Sequence, residues 1–267
     1  AKIATLMAMP AARGLFHRAF TMSGQQVTAS GPLNATHRTN ALIAALQRAA
    51  PDPRDIATLP ANLIVEAATL IDPVLGFGSL YFGPVLDERH LTRHPFYPDA
   101  APQSLAIPMM IGNTHDETRG FVARDSDMFD MSWHELPLLL STAMRVDVLP
   151  EAVVAEYRRL YPHYSPSDIY FAASTASRSW RGALIELEAR AAAGAPAFAY
   201  QLDWRAPAEG GIYGAPHTLD IPLVFGNLEA SHWIGARTPE AVAMSERMMD
   251  VALRFARSGD PGWPAYT

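Results

Sequence analysis

Three stretches of the chain carry the hydrophobic pattern of strands. In residues 15–23 Phe20 and Met22 alternate with small or polar neighbours. Residues 107–112 (IPMMIG) form an apolar run closed by Gly112-Asn113, and 197–204 (AFAYQLDW) lead into the Pro- and Gly-rich loop 206–214. Elsewhere apolar residues recur every three or four positions. Ile3, Leu6, Met7 and Met9 mark a helix over 1–9, stopped by Pro10 and expected to be buried against the sheet. Leu42, Ile43, Leu46, Ala49 and Ala50 mark a helix over 37–50 ended by Pro51, and Leu63, Ile64, Ala67 and Leu70 mark another over 60–71; both read as surface helices. Further helical patterns cover 133–144 and 150–161. Residues 165–176 open on Ser165-Pro166, an N-cap followed by proline at the first helical position, and 178–193 close on Gly194. Thr238-Pro239 caps a last helix through 256, with Glu240 in its first turn and Gly259 just past its end. Strands alternating with helices indicate the α/β class, a largely parallel sheet covered on both faces.

Composition narrows the function. At 267 residues and 49% hydrophobic, the chain is expected to form a single domain over 1–267 with one large core. Its net charge of −6 is spread without long runs of one sign, which argues against nucleic acid or an anionic membrane as the main partner. The absence of cysteine excludes a thiolate nucleophile, a thiolate metal site and disulfides. No run approaches the ~18–20 apolar residues of a membrane span. The opening AKIATLMAMP lacks the basic start of an export signal. A soluble chain follows as the expectation, with the cytoplasm preferred over export.

Two segments offer chemistry. His217 lies in 214–227 (GAPHTLDIPLVFGN), between a glycine-punctuated loop and an apolar run. In 107–121 (IPMMIGNTHDETRGF) an apolar core is followed by the acidic pair Asp116-Glu117. A histidine and a carboxylate thus sit on loops at the ends of two strands, where α/β enzymes keep their chemistry. A lone loop histidine is more often a surface or hydrogen-bonded group; the second segment is what makes catalysis the better reading. Metal binding is not expected. His90 and His94 form an HxxxH that lacks the glutamate of HExxH and meets Pro95, and Asp125 and Asp127 lie in a polar stretch, so solvated side chains explain both.

Four ordered segments carry a resemblance: PAARGLFHRAFTMSG at 10–24, the Gly112–Gly120 region with its D-E pair, the H-x-x-D-I-P-x-V-F-G run from His217, and the tail FARSGDPGWPAY at 255–266. Together they resemble the type-B carboxylesterases, the α/β-hydrolase group that includes cholinesterases and bacterial p-nitrobenzyl esterases. The resemblance implies an α/β-hydrolase fold and a serine carboxylester hydrolase without a cofactor. It would act on a small-molecule ester through a Ser-Glu-His triad. Glu117 would be the acid, with Asp116 as its structural neighbour and rival, and His217 the base.

No G-x-S-x-G occurs in the chain. The resemblance places the nucleophile a few residues upstream of Ala1, on a segment or chain outside this sequence, and these residues read as the C-terminal portion of an enzyme. Ser23, in T-M-S-G-Q, lacks the glycine two places earlier that an elbow serine needs. The resemblance sets its hydroxyl beside the acid; a strand-end serine satisfying backbone is the plainer reading. Asp220 stands where relatives have glutamate and would support His217 or start a helix. Thr118 replaces the usual glycine after the acid, with Gly120 two places later. In loop 72–82 the substrate-facing positions would be Gly78 and Leu80; the plainer alternative is a hydrophobic loop packed on the core. The helices across 121–195 would form a cap around the site. From a different class, the alternative is a non-catalytic interaction protein on the same scaffold, because function resides in sites and not in folds.

Overall fold

The computed structural model describes residues 2–48, 55–144 and 146–267. Ala1, and the expected helix end at Ala49, Ala50 and Pro51, lie outside the described residues. The order of elements is α1 (Lys2–Ala8), β1 (Ala19–Met22), α2 (Pro32–Gln47), α3 (Ala61–Ala68), β2 (Met109–Thr114), α4 (Glu135–Ala143), α5 (Pro150–Leu160), α6 (Pro166–Thr175), α7 (Arg181–Ala192), β3 (Ala197–Leu202), α8 (Asp220–Phe225) and α9 (Pro239–Ser258).

The centre is β2, whose six residues are all buried. It pairs in parallel with β1 on one side and β3 on the other, Met109 lying opposite both Ala19 and Ala197. An apolar strand of this kind needs cover on both faces. Ala4 and Met7 of α1 and Ala183 and Leu187 of α7 pack on one face with Met109 and Ile111. Phe255 of α9 packs on the other with Met110 and Phe198. Each large side chain buried this way contributes about 1.5–3 kcal/mol. Arg190 of α7 ties the strand entries together, its guanidinium donating to Ile107 O at 2.5 Å and Pro196 O at 3.3 Å.

The elements depart from the hydrophobic pattern in instructive places. β1 begins at Ala19 rather than residue 15, because Gly14 turns with φ +79° and Leu15 is 76% exposed. β2 runs past Gly112 because Asn113 and Thr114 go on pairing with Gln201 and Leu202. α2 starts at Pro32, where Gly31-Pro32 provides an N-cap and a proline at N1; the polar run at 36–40 hides the helical period. α2 and α3 bury Leu42, Leu46 and Ala67 against each other and Leu80, so each covers the other's apolar stripe. Expected as two helices, α6 and α7 are joined by a π-helical turn, Ala176–Trp180. No glycine or proline occurs between Ser167 and Arg181 to end the first. Ser165 and Asp168 form the capping box that opens α6. Helices α4, α5 and α6 have a core of their own around Leu136, Leu140, Val154 and Ile169.

Candidate active site

The acid loop leaves the end of β2. His115 N still bonds Leu202 O at 3.0 Å, after which the chain turns into a 3-10 turn, Glu117–Phe121. This turn folds the Glu117 side chain back to the strand end, where Thr114 N donates to Oε1 at 2.9 Å. Ser23 follows β1 with φ +53°, and that left-handed bend lets its hydroxyl donate to the same Oε1. Glu117 Oε2 lies 2.5 Å from His217 Nδ1, and His217 N bonds Glu117 O at 3.2 Å, so ring and backbone are both anchored to one residue. The Glu117 side chain is fully buried; that of His217 is 28% exposed. Burial alone would raise the Glu117 carboxyl. The hydrogen bonds of His217 and Ser23, the His217 charge and the Thr114 amide outweigh burial and hold it below its ordinary value.

Asp116 faces elsewhere. It accepts from Ala215 N at 2.9 Å, its own N donates to Ala215 O at 2.8 Å, and it meets His115 Nδ1 at 3.2 Å and Arg119 Nε at 3.3 Å. Burial pushes this carboxyl up, but His115, the Ala215 amide and Arg119 bring it below its usual range; the same bond raises His115. Gly214, at φ +63°, is needed here, because a Cβ would overlap Asp116 Oδ2. Thr118, in the family's glycine position, uses its hydroxyl to bind Phe171 O at 3.1 Å and Ser174 Oγ at 2.8 Å, which ties the acid loop to α6. Gly120 lies against Pro216 and Trp233, a Cβ there being 3.1 Å from each.

Asp220 is the first residue of α8 and is buried. It accepts from the Tyr200 hydroxyl at 2.8 Å. Burial and the charge of Glu117 raise its carboxyl. Ser23 and His217 therefore both meet Glu117, and Asp116 and Asp220 make separate contacts.

Gly78 and Leu80 are placed apart from this group. Leu80 is buried between α2 and α3, Gly78 is exposed, and both line a cavity of about 600 Å³ with Phe77, Met144 and Val146. None of Ser23, Glu117 and His217 lines it. Their loop is organised by a residue the pattern did not mark, Asp72. Buried against Arg38 Nε at 2.6 Å, Asp72 accepts from the amides of Val74, Leu75 and Tyr81. Burial would raise this carboxyl, yet Arg38 and those amides hold it well below its usual range. His90 pairs with Asp87, and His94 accepts from Ala29 N, so the two histidines of the HxxxH have separate partners.

Chemically, a buried carboxylate on Nδ1 fixes the imidazole proton there and leaves Nε2 as the nitrogen that can take one. The Ser23 hydroxyl donates a hydrogen bond to Glu117. The contact of Tyr200 with Asp220 was missed in the sequence, because a tyrosine in an apolar strand carries no mark of its partner.

The chain is similar to known esterases. Para-nitrobenzyl esterase of Bacillus subtilis (strain 168) is 30% identical over 273 residues, covering 99% of this chain and 53% of its own length. Phenmedipham hydrolase of Pseudarthrobacter oxydans is 27% identical over 285 residues, covering 99% and 54%. The chain thus spans about half the length of these curated relatives. A solved structure of a Geobacillus stearothermophilus carboxylesterase superposes with a TM-score of 0.77 at 30% identity, covering 99% of this chain and 55% of that one; a PNB esterase structure gives 0.72 at 29%, covering 99% and 54%. The parallel sheet and its helices are accordingly part of an α/β-hydrolase fold. The model of the carboxylesterase family matches residues 1–266, and the chain belongs to that family.

Proposed function

We propose that the whole protein hydrolyses small-molecule carboxylic esters through a Ser-Glu-His triad. This chain supplies Glu117 and His217, and a serine outside its 267 residues supplies the nucleophile. The observation that carries the reading is the 2.5 Å contact between His217 Nδ1 and the buried Glu117 carboxylate. With Nδ1 held, Nε2 removes the proton of the attacking serine and returns it to the leaving alcohol, and Glu117 stabilises the imidazolium between the two steps. Ser23 and the Thr114 amide hold the acid, Asp116 staples its loop to the histidine loop, and Asp220 steadies the start of α8. These transfers need no cofactor.

One relative is named a para-nitrobenzyl esterase, which supports small uncharged esters as the substrate class. We assign the helices across 121–195 to a cap. Phe121 stands 5.4 Å from the His217 ring, centre to centre, and Arg178 stacks on Phe121 at 4.6 Å. The cavity at Gly78 and Leu80, which Met144 joins from the end of α4, is the place proposed for the acyl group. Among the described residues no helix is long and apolar enough to cross a membrane.

The test is His217→Ala in protein that includes the nucleophile segment. Hydrolysis of p-nitrophenyl acetate should fall by several orders of magnitude with the circular dichroism spectrum unchanged. A wild-type rate in the variant would remove the base assignment. A folded wild type with no hydrolysis of any ester would favour an interaction protein.

A further inference from the structure

Tyr200 is a polar residue placed on an apolar face. Its ring packs with Phe20, edge-on at 5.6 Å, on the α9 side of the sheet. It crosses β2 at Gly112, where any Cβ would overlap the ring. The route across Gly112 ends at Asp220, whose Oδ2 takes the hydroxyl at 2.8 Å. Asp220 opens α8 three residues after His217. Between them Thr218 holds φ +73°, uncommon for a β-branched residue, and accepts from Trp233 Nε1 at 3.2 Å. The histidine segment is therefore anchored twice, to Glu117 through His217 and to Tyr200 of β3 through Asp220.

We propose that Tyr200 is a positioning residue, its hydroxyl latching Asp220 and the start of α8 so that the His217 ring stays aligned on Glu117. The proposal rests on the reading of His217 as the base. A competing role for the same pair is electrostatic, with the charge of Asp220 supporting the imidazolium. The two roles rank the variants differently. Tyr200→Phe removes the latch, whereas Asp220→Asn keeps an acceptor for the hydroxyl and removes only the charge.

The experiment measures kcat and KM for p-nitrophenyl acetate in protein that includes the nucleophile segment, together with the ring nitrogen signals of His217 by NMR. Tyr200→Phe should lower kcat by about tenfold to a hundredfold, the scale of a misaligned catalytic group, with KM within about twofold. Its His217 signals should shift, and Asp220→Asn should lose less than Tyr200→Phe. Wild-type kcat and wild-type His217 signals in Tyr200→Phe would overturn the latch, as would a larger loss in Asp220→Asn. If Tyr200→Phe fails to fold, the double variant Y200F/D220L leaves no buried carboxyl unpartnered. It must then show the same fall in kcat, and a wild-type kcat there would overturn the proposal. If the wild type hydrolyses no ester, the esterase reading falls, and the His217 signals still decide the latch.

Discussion

Replacing Glu117 by glutamine tests the acid with almost no change of shape. Thr114 N and the Ser23 hydroxyl both donate to Oε1, and His217 Nδ1 meets Oε2. An amide has one acceptor and one donor to distribute over these two positions. With its oxygen at the Oε1 position both donors are kept, and its NH2 faces Nδ1. The reverse placement sets the NH2 against the buried Thr114 amide, at a cost of about 1–3 kcal/mol for a donor left without an acceptor. The first arrangement therefore wins. It requires a lone pair on Nδ1, which moves the imidazole proton to Nε2 and presents an N–H to the nucleophile where a base is needed. The expected fall in kcat is about ten-thousandfold, equivalent to about 5 kcal/mol of barrier, with the fold intact. The assay is p-nitrophenyl ester hydrolysis by protein that includes the nucleophile segment, combined with 15N shifts that report the His217 tautomer. A rate within about tenfold of wild type, or an Nδ1–H imidazole in the variant, would refute the reasoning. Acid stability provides a second check. The folded Glu117 carboxyl lies below its ordinary value of 4.5, so its stabilisation is complete above that pH and is lost as pH falls through the folded value. Glu117→Gln should lack that part of the acid destabilisation.

Two further substitutions probe the frame. Gly214→Ala forces a Cβ into Asp116 Oδ2 at φ +63° and should cost at least about 1–2 kcal/mol, lowering the melting temperature by roughly 2–4 °C per kcal/mol; an unchanged melt would contradict this packing. Glu186 of α7 is buried, accepts from Gln26 N at 2.7 Å, and is pushed by burial up to about 8. Because the folded value exceeds the ordinary 4.5, the wild type should lose stability as pH rises from about 4.5 toward 8. Glu186→Gln should therefore gain on the wild type by on the order of 3 kcal/mol at pH 8 and little at pH 5, measured by urea unfolding. An equal difference at both pH values would show that ionisation is not the cause.

Burial on both faces made β2 readable as an apolar run, and the two loops beyond β2 and β3 stood out by their Gly, Pro and charged residues. What escaped is tertiary. The start of β1 depends on a left-handed Gly14, a polar run at 36–40 interrupts the apolar period of α2, and the junction at Ala176–Trp180 has no stop residue because the chain does not stop there. The adjacent carboxylates of the D-E pair look alike in sequence. One residue's rotation along the acid loop sends Glu117 to the imidazole and Asp116 to the Ala215 amide. Tyr200 and Asp72 could not be read locally either. The place of Tyr200 is made by Gly112 and Asp220, and that of Asp72 by Arg38 and three later amides.

The contacts that shape the acid and base come from within this chain, and that bears on how the proposed triad would work. A buried carboxylate is costly unless it is hydrogen-bonded, and Glu117 has Thr114, Ser23 and His217 for the purpose. The loop that carries it is fastened to α6 by Thr118, and the histidine loop is fastened to β3 by Asp220. Rate acceleration by charge stabilisation depends on groups being in place before the charge develops. Here the contacts of the Glu117 carboxyl and the orientation of the His217 ring are set by β1, β2, β3 and α8 together. A serine would then need only to reach Nε2, and the variants at Glu117 and Tyr200 should impair the base even when that serine is perfectly placed.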